Sequence, residues 1–184
     1  LAGDHVYKMR YNEMVDFHRA MGADVTIGVA EVPWEEASRF GTVVLNEDSR
    51  VTGFQEKAPH PVSRLASMGI YVFSPQVLNE VLQEDAHSNA SSHDFGRDIL
   101  PAMMERYAIY GHRFHGYWKD VGTIEAYWKA NMEFLEGVPP FDLGGGEEST
   151  RTHFQDRPPA IIGPEAAVRL SLLSGGCRIL GTVR

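Results

Sequence analysis

Leu65-Ala66-Ser67-Met68-Gly69-Ile70-Tyr71-Val72-Phe73, followed at once by Ser74-Pro75-Gln76-Val77-Leu78-Asn79-Glu80-Val81-Leu82, is the stretch that decides the fold class. The first nine residues are mostly apolar, β-branched or aromatic, and read as a strand interrupted at Gly69. Pro75 suits the first turn of a helix. Val77, Leu78, Val81 and Leu82 then fall at helical spacing and mark one apolar face. A strand that feeds directly into a helix is the building unit of a layered α/β fold.

Working outward, the same alternation continues. Asp24 to Val32 is rich in valine and isoleucine and reads as a strand stopped by Pro33. Before it, Asn12 is placed to cap a helix to about Met21, with Met14, Phe17, His18 and Met21 on its inner face; His18 reads as a core residue. Trp34 to Ser38 is a single helical turn. Thr42 to Leu45 and Val51 to Gln55 form a hairpin around Asn46-Glu47-Asp48-Ser49. Residues 85–93 are a polar loop. A helix follows from about Gly96 to Tyr107, bent or restarted at Pro101. Ile109 to Phe114 and Gly116 to Trp118 read as short strands. Thr123 caps a last helix to Leu135, with Ile124, Tyr127, Trp128, Asn131 and Leu135 on one side. This order predicts a sheet flanked by helices, with a parallel centre and an antiparallel edge.

The composition changes after Leu135. Residues 137–158 carry Gly144-Gly145-Gly146 and the pair Pro139-Pro140, and run into Pro158-Pro159, so they read as a linker. Residues 159–184 are short apolar pieces with glycine at the turns, as in the opening coils of a parallel β-helix. The expected division is therefore 1–136, 137–158 and 159–184.

Bulk properties exclude some functions. The chain has 184 residues and a formal net charge of -8, so it lacks the basic field of a nucleic-acid binder. No apolar run is long enough for a membrane span. Cys177 is the one cysteine, which rules out an internal disulfide and fits a reducing, cytoplasmic setting. The opening Leu1-Ala2-Gly3-Asp4-His5 is neither an initiator methionine nor a signal peptide, and the expectation is a fragment of a longer protein.

Several residues are placed for chemistry, each with a plainer reading beside it. Asp4 follows what reads as a strand end, where a carboxylate can hold Mg²⁺ in an α/β crevice; it can equally be a loop acid. Glu56 can accept sugar hydroxyls and Lys57 can sit beside a phosphate, or the two can form a surface ion pair. Ser67 and Tyr71 share one strand face and can donate into a pocket or to a neighbouring element. Asp94 can line a site with Phe95 or simply cap the next helix. In Trp118-Lys119-Asp120-Val121-Gly122, Asp120 can join Asp4 on one metal ion, or help cap the helix while Trp118 fills core. No histidine pair has metal-ligand spacing on a predicted helix, and Cys177 has no cysteine partner, so zinc is not expected.

At these residues the sequence resembles the bacterial glucose-1-phosphate adenylyltransferases. The similar strings are LAGDHVYKM at 1–9, EEASRFG at 35–41, FQEK at 54–57, LASMGIYVF at 65–73, SSHDFGRDILP at 91–101, YWKDVGTIEAYWKANM at 117–132 and LLSGGCRILGTV at 172–183. They are collinear and span nearly the whole chain. The resemblance implies a Rossmann-like nucleotidyltransferase domain, present in part, followed by the start of a left-handed parallel β-helix. It implies a Mg²⁺-dependent reaction of ATP with glucose 1-phosphate to ADP-glucose and pyrophosphate, feeding glycogen or starch synthesis. It also implies a tetramer under the control of small metabolites.

Carried over string by string, Asp4 and Asp120 resemble the catalytic, metal-binding aspartates. Glu56, Lys57, Ser67, Tyr71, Asp94, Phe95 and Trp118 resemble the lining of the sugar-phosphate pocket. Two departures stand out. The family's glycine-rich GxGxRL-type loop, which grips the triphosphate, has no match here, so the chain by itself is expected to be inactive. Arg10 stands where the family usually has an acid. Two alternatives remain within reach: a sugar-1-phosphate nucleotidyltransferase using another base, or a non-catalytic regulatory subunit of the same assembly. The plainest reading is an interaction module that only keeps the α/β layers, and it predicts no convergence of the named residues.

Overall fold

A computed structural model of the chain describes residues 1–143 and 156–183. The expected linker falls partly outside them, its glycine triplet included. The chain forms two compact units, residues 1–118 and 119–184.

The first unit is built on five strands in the order β4-β3-β5-β2-β6: β2 Val25–Glu31, β3 Gly41–Leu45, β4 Val51–Glu56, β5 Leu65–Phe73 and β6 Ile109–Phe114. The short β1 (His5–Tyr7) precedes them. Around the sheet lie α1 Tyr11–Ala20, α2 Trp34–Ala37, α3 Pro75–Ala86, a π-helical turn Phe95–Ile99 and α4 Leu100–Met103. The strand β2 is buried from Val25 to Ala30, as expected of a central strand covered on both faces. One core packs Val25, Ile27, Val29 and Val43 against Val81, Ile99, Leu100 and Met103 from the helices. A second joins Met14 of α1 to Met68 and Ile70 of β5, and a third gathers Val32, Ala37, Phe40 and Ala66. Fully burying one such aliphatic side chain stabilises the fold by about 1.5–3 kcal/mol.

The expected sheet was parallel at its centre and antiparallel at one edge. Within this five-stranded sheet only β2 and β6 pair in parallel. The pairs β2–β5, β5–β3 and β3–β4 are antiparallel. For β3–β4 the physical reason is connection length. A parallel neighbour needs a crossover of a dozen or more residues, and the turn between β3 and β4 is far shorter, so that pair must be a hairpin. The hairpin turn is closed by Asn46, whose Oδ1 accepts the Asp48 and Arg50 N–H groups at 3.1 and 2.8 Å.

Three local expectations change. The first helix begins at Tyr11, with Arg10 at its N-cap and no side-chain cap bond, so Asn12 lies inside the first turn. The segment from Gly96 to Tyr107 is a π turn and then a four-residue α-helix rather than one bent helix. The strand expected at Gly116 to Trp118 lies at Trp118–Asp120 instead (β7).

His18 sits in the core as expected, its Nδ1 2.9 Å from the Thr26 hydroxyl of β2. Burial holds its imidazole below the ordinary value, against the pull of Asp24. Burial lowers His112 as well, opposed by Glu13. Both rings therefore resist protonation more in the folded chain than in the unfolded one. Their contribution to stability is full above the unfolded imidazole pKa of about 6.5 and is lost as pH falls through the lower folded values. The lowered carboxyls of Asp85 and Asp98 act only in a more acidic window. We expect the urea midpoint to fall between pH 7.5 and 5.5, and to fall less in a His18→Gln/His112→Gln variant. A wild-type midpoint level across that range contradicts this account.

In the second unit, Thr123 caps α5 (Ile124–Glu133) by accepting the Ala126 N–H at 3.1 Å. Ile124, Tyr127 and Trp128 are exposed. The tail forms two-residue strands, β8 Ile161–Ile162, β9 Ala167–Val168, β10 Arg178–Ile179 and β11 Thr182–Val183. β10 pairs in parallel with β8, and β11 with β9. Among the described residues no helix is long and apolar enough to cross a membrane.

Candidate functional site

Six of the residues singled out from sequence lie along one wall of the first unit. It begins at the end of β4. Glu56 closes that strand opposite Gly41 of β3, and the Lys57 N–H bonds to the Phe40 carbonyl at 3.1 Å. Lys57 has φ 45°, a left-handed backbone that costs a non-glycine residue about 1–3 kcal/mol and is found disproportionately at functional sites. The bend sends the two side chains to different environments. Glu56 is 22% exposed and Lys57 66% exposed, with Nζ 3.9 Å from the carboxylate. Burial raises the Glu56 carboxyl above its ordinary value, Lys57 opposing this and Asp94 adding to it.

The strand β5 contributes Ser67 and Tyr71, whose hydroxyls lie 3.2 Å apart. Four residues of regular strand span about 13 Å, so plain alternation does not bring such groups together. A β-bulge does: Ile27 pairs with Tyr71 while Val29 pairs with Ser67, and Gly69 between them has φ 64°. Gly69 is held there by the Ala2 N–H, which bonds to its carbonyl at 2.8 Å. Burial raises the Tyr71 phenol above its ordinary value, and Glu56 and Asp94 also push it up. Tyr71 therefore stays a hydroxyl donor at neutral pH.

Asp94 and Phe95 arrive from the polar loop. The Asp85 carboxylate accepts the Ser91 hydroxyl at 2.5 Å and lies 2.7 Å from His93 Nδ1. Asp98 accepts the Ser92 hydroxyl and the N–H groups of Ser92 and Asp94. With the loop so tied, Asp94 Oδ1 takes the Arg97 N–H at 2.8 Å, which is the capping role read from sequence. Phe95 stacks on Tyr71, ring centroids 5.8 Å apart and planes 16° apart. Stacked aromatic pairs contribute about 0.5–1.5 kcal/mol beyond burial.

Trp118 lies with a second group in the same unit. Its indole N–H points at His5 Nδ1 at 3.3 Å, and its ring lies 5.2 Å from Phe40. His5 Nε2 is 3.5 Å from the Asp4 carboxylate, which is itself 64% exposed. Asp120 belongs to the second unit, where its Oδ1 accepts the Gly122 N–H at 2.7 Å. No group of three or more His, Cys, Asp or Glu side chains able to hold a metal occurs among the described residues.

Sequence reasoning passed over two residues at the wall, Gly41 and Gly96. A methyl on Gly41 would lie 2.7 Å from Glu56 Oε2. A methyl on Gly96 would run into the same oxygen and lie 2.9 Å from Glu56 Cδ. A glycine opening a strand and another at a helix start do signal close approach, but nothing in the sequence says what approaches.

Comparison with known proteins gives the family. The family model described as nucleotidyl transferase matches residues 1–137. A glucose-1-phosphate adenylyltransferase of Thermotoga neapolitana is 48% identical over the whole chain, which covers 44% of that relative. The enzyme of the same name from Halalkalibacterium halodurans is 47% identical, again over the whole chain, which covers 48% of it. The chain thus spans less than half the length of these curated relatives. With a family model matched across the strands and helices that carry the wall, and near-half identity throughout, the chain belongs to the nucleotidyl transferase family.

Proposed function

We propose that the protein containing this chain transfers the adenylyl group of ATP to glucose 1-phosphate, giving ADP-glucose and pyrophosphate for glycogen synthesis. The observation that carries this reading is the convergence of Glu56, Lys57, Ser67, Tyr71, Asp94 and Phe95 on one wall. The names of whole-chain relatives support the choice of ATP and glucose 1-phosphate. In this reading Lys57 neutralises the sugar phosphate, and Glu56 accepts sugar hydroxyls. Tyr71 donates from a phenol that burial keeps protonated. Trp118 closes the sugar pocket.

A phosphate oxygen of glucose 1-phosphate attacks the α-phosphorus of ATP. One P–O bond forms, the α–β bridge breaks, and pyrophosphate leaves with the electron pair. The attacking phosphate is already ionised, so no general base is needed. Alignment and charge neutralisation must supply the rate.

Asp4 and Asp120, each in its own unit, are the carboxylates we propose as Mg²⁺ ligands. Their donor set fits, since both offer hard oxygen, and Mg²⁺ is commonly held by one or two carboxylates with substrate phosphates completing its shell. When bound, the ion offsets charge on the phosphates. The parallel two-residue strands of the tail support reading residues from 159 onward as the first coil of a left-handed β-helix, with residues 1–136 as the catalytic part and 137–158 as the connection. We further propose a cytoplasmic homotetramer under control by small metabolites, acting on neither nucleic acid nor membrane.

The full-length protein tests this directly. Pyrophosphate release with glucose 1-phosphate and Mg²⁺ should be faster with ATP than with UTP, GTP, CTP or dTTP. A preference for another nucleotide moves the assignment to a sister activity. Silence with all five points to a regulatory subunit.

A further inference from the structure

We propose that Gly41 and Gly96 are positioning residues: they form a slot, open only because neither carries a side chain, that holds the Glu56 carboxylate in one orientation toward the sugar phosphate. The proposal rests on the sugar-phosphate reading of this wall.

The geometry is specific. Gly41 stands opposite Glu56 in the β3–β4 ladder. Gly96 comes from a different element, the π turn, and is buried. A Cβ on either would strike the same atom, Glu56 Oε2. The carboxylate is thus confined from two sides by backbone. Neither glycine has a left-handed φ, so conformational freedom does not explain them. Space does.

What each methyl would displace decides where its cost falls. At Gly96 the nearest atoms are Glu56 Oε2 and Cδ, followed by Asp94 Oδ1 at 3.4 Å. At Gly41 they are Glu56 Oε2 and the Phe54 ring. At Gly96 these are ends of polar side chains that can swing, whereas at Gly41 the Phe54 ring packs against the core and must shift with its neighbours. No buried backbone is struck, so the fold survives and the carboxylate moves. Asp94 and Arg97 flank the turn, and Lys57 flanks the strand, so a displaced carboxylate also changes its charged neighbours. The confinement does not depend on the protonation state of Glu56.

The prediction concerns coupling rather than loss alone. In the full-length protein, Gly96→Ala should raise the glucose 1-phosphate KM by about 10- to 100-fold, the scale of a group misplaced by about 1 Å. The ATP KM should hardly move. In a Glu56→Ala background the same methyl has nothing to displace, so Gly96→Ala should add little there. Gly41→Ala should behave in the same way, more weakly, because the Phe54 ring shares the displacement.

Thermal melting of the same four proteins supplies a readout independent of function. Gly96→Ala should lower the melting temperature in the wild-type background and leave it level in the Glu56→Ala background. Additive effects on both KM and melting temperature overturn the proposal. An unmoved KM in Glu56→Ala alone instead overturns the sugar-phosphate reading. The melting comparison then still decides whether the two glycines hold the carboxylate. If Gly96→Ala does not fold, Gly96→Ala with Glu56→Asp, whose acid is one methylene shorter, should fold and recover part of the affinity. Failure of that pair to recover any counts against the slot.

Discussion

Replacing Lys57 by alanine in the full-length protein is expected to raise the KM for glucose 1-phosphate roughly 10- to 1000-fold, the scale of a lost charge-assisted contact. The ATP KM should change far less. The expectation follows from how the chain presents this lysine. The left-handed backbone at Lys57 and its bond to the Phe40 carbonyl fix the direction in which the side chain leaves. The ammonium is largely exposed, so its 3.9 Å pairing with Glu56 contributes little to stability. A strained backbone position that serves only a weak surface pair would be hard to account for, whereas one that aims a cation at a ligand has a use. Kinetics varying each substrate separately make the check. A loss confined to the ATP term would assign the lysine to the other half of the site. Lys57→Arg should recover only part of the affinity, because a planar fork does not replace a compact point charge.

The 184-residue chain expressed by itself should release no measurable pyrophosphate from ATP and glucose 1-phosphate in Mg²⁺. The chemistry needs a triphosphate held in line with the attacking oxygen, and alignment is a large part of the available catalysis. A glycine-rich loop of backbone amides is the usual grip on such a phosphate chain. The family's GxGxRL-type string has no match in this sequence. The wall from Glu56 to Phe95 is present, so weak binding of glucose 1-phosphate by itself should survive and be visible by calorimetry. Turnover near a typical enzyme rate, roughly 1 per second, would show the site model to be wrong.

Much of the architecture could be read before any coordinates. The strand Leu65–Phe73 has the bounds its composition suggests, because β-branched and aromatic residues leave little choice. Pro75 and Thr123 start helices where their chemistry places them. What escaped was set by partners distant in sequence. The π turn at Phe95 reads locally as ordinary helix, since no residue in Phe95-Gly96-Arg97-Asp98-Ile99 demands a wider turn. The meeting of Ser67 with Tyr71 depends on a bulge whose register is fixed by β2, some 40 residues away. Asp94 shows how two readings of one residue can hold together: it caps the turn, and it lies close enough to Glu56 and Tyr71 to influence both. The glycines at 41 and 96 were visible, but the atom they make room for was not.

The wide turn at Phe95 has a consequence for how this region can vary. Its N–H bonds reach back five residues, from Ile99 to the Asp94 carbonyl and from Leu100 to that of Phe95. Such a turn holds one residue more than an α-helical turn. Removing any one residue between 95 and 99 would still leave a segment able to coil as a regular helix. Everything on one side of the cut would then be rotated by about 100° about the axis, one residue's share of a turn. Gly96 would face away from Glu56, and the Phe95 ring would leave Tyr71. Point changes at this corner can be absorbed by a side chain that swings aside, but a change in its length cannot. Related chains that keep the wall should therefore agree in the number of residues here.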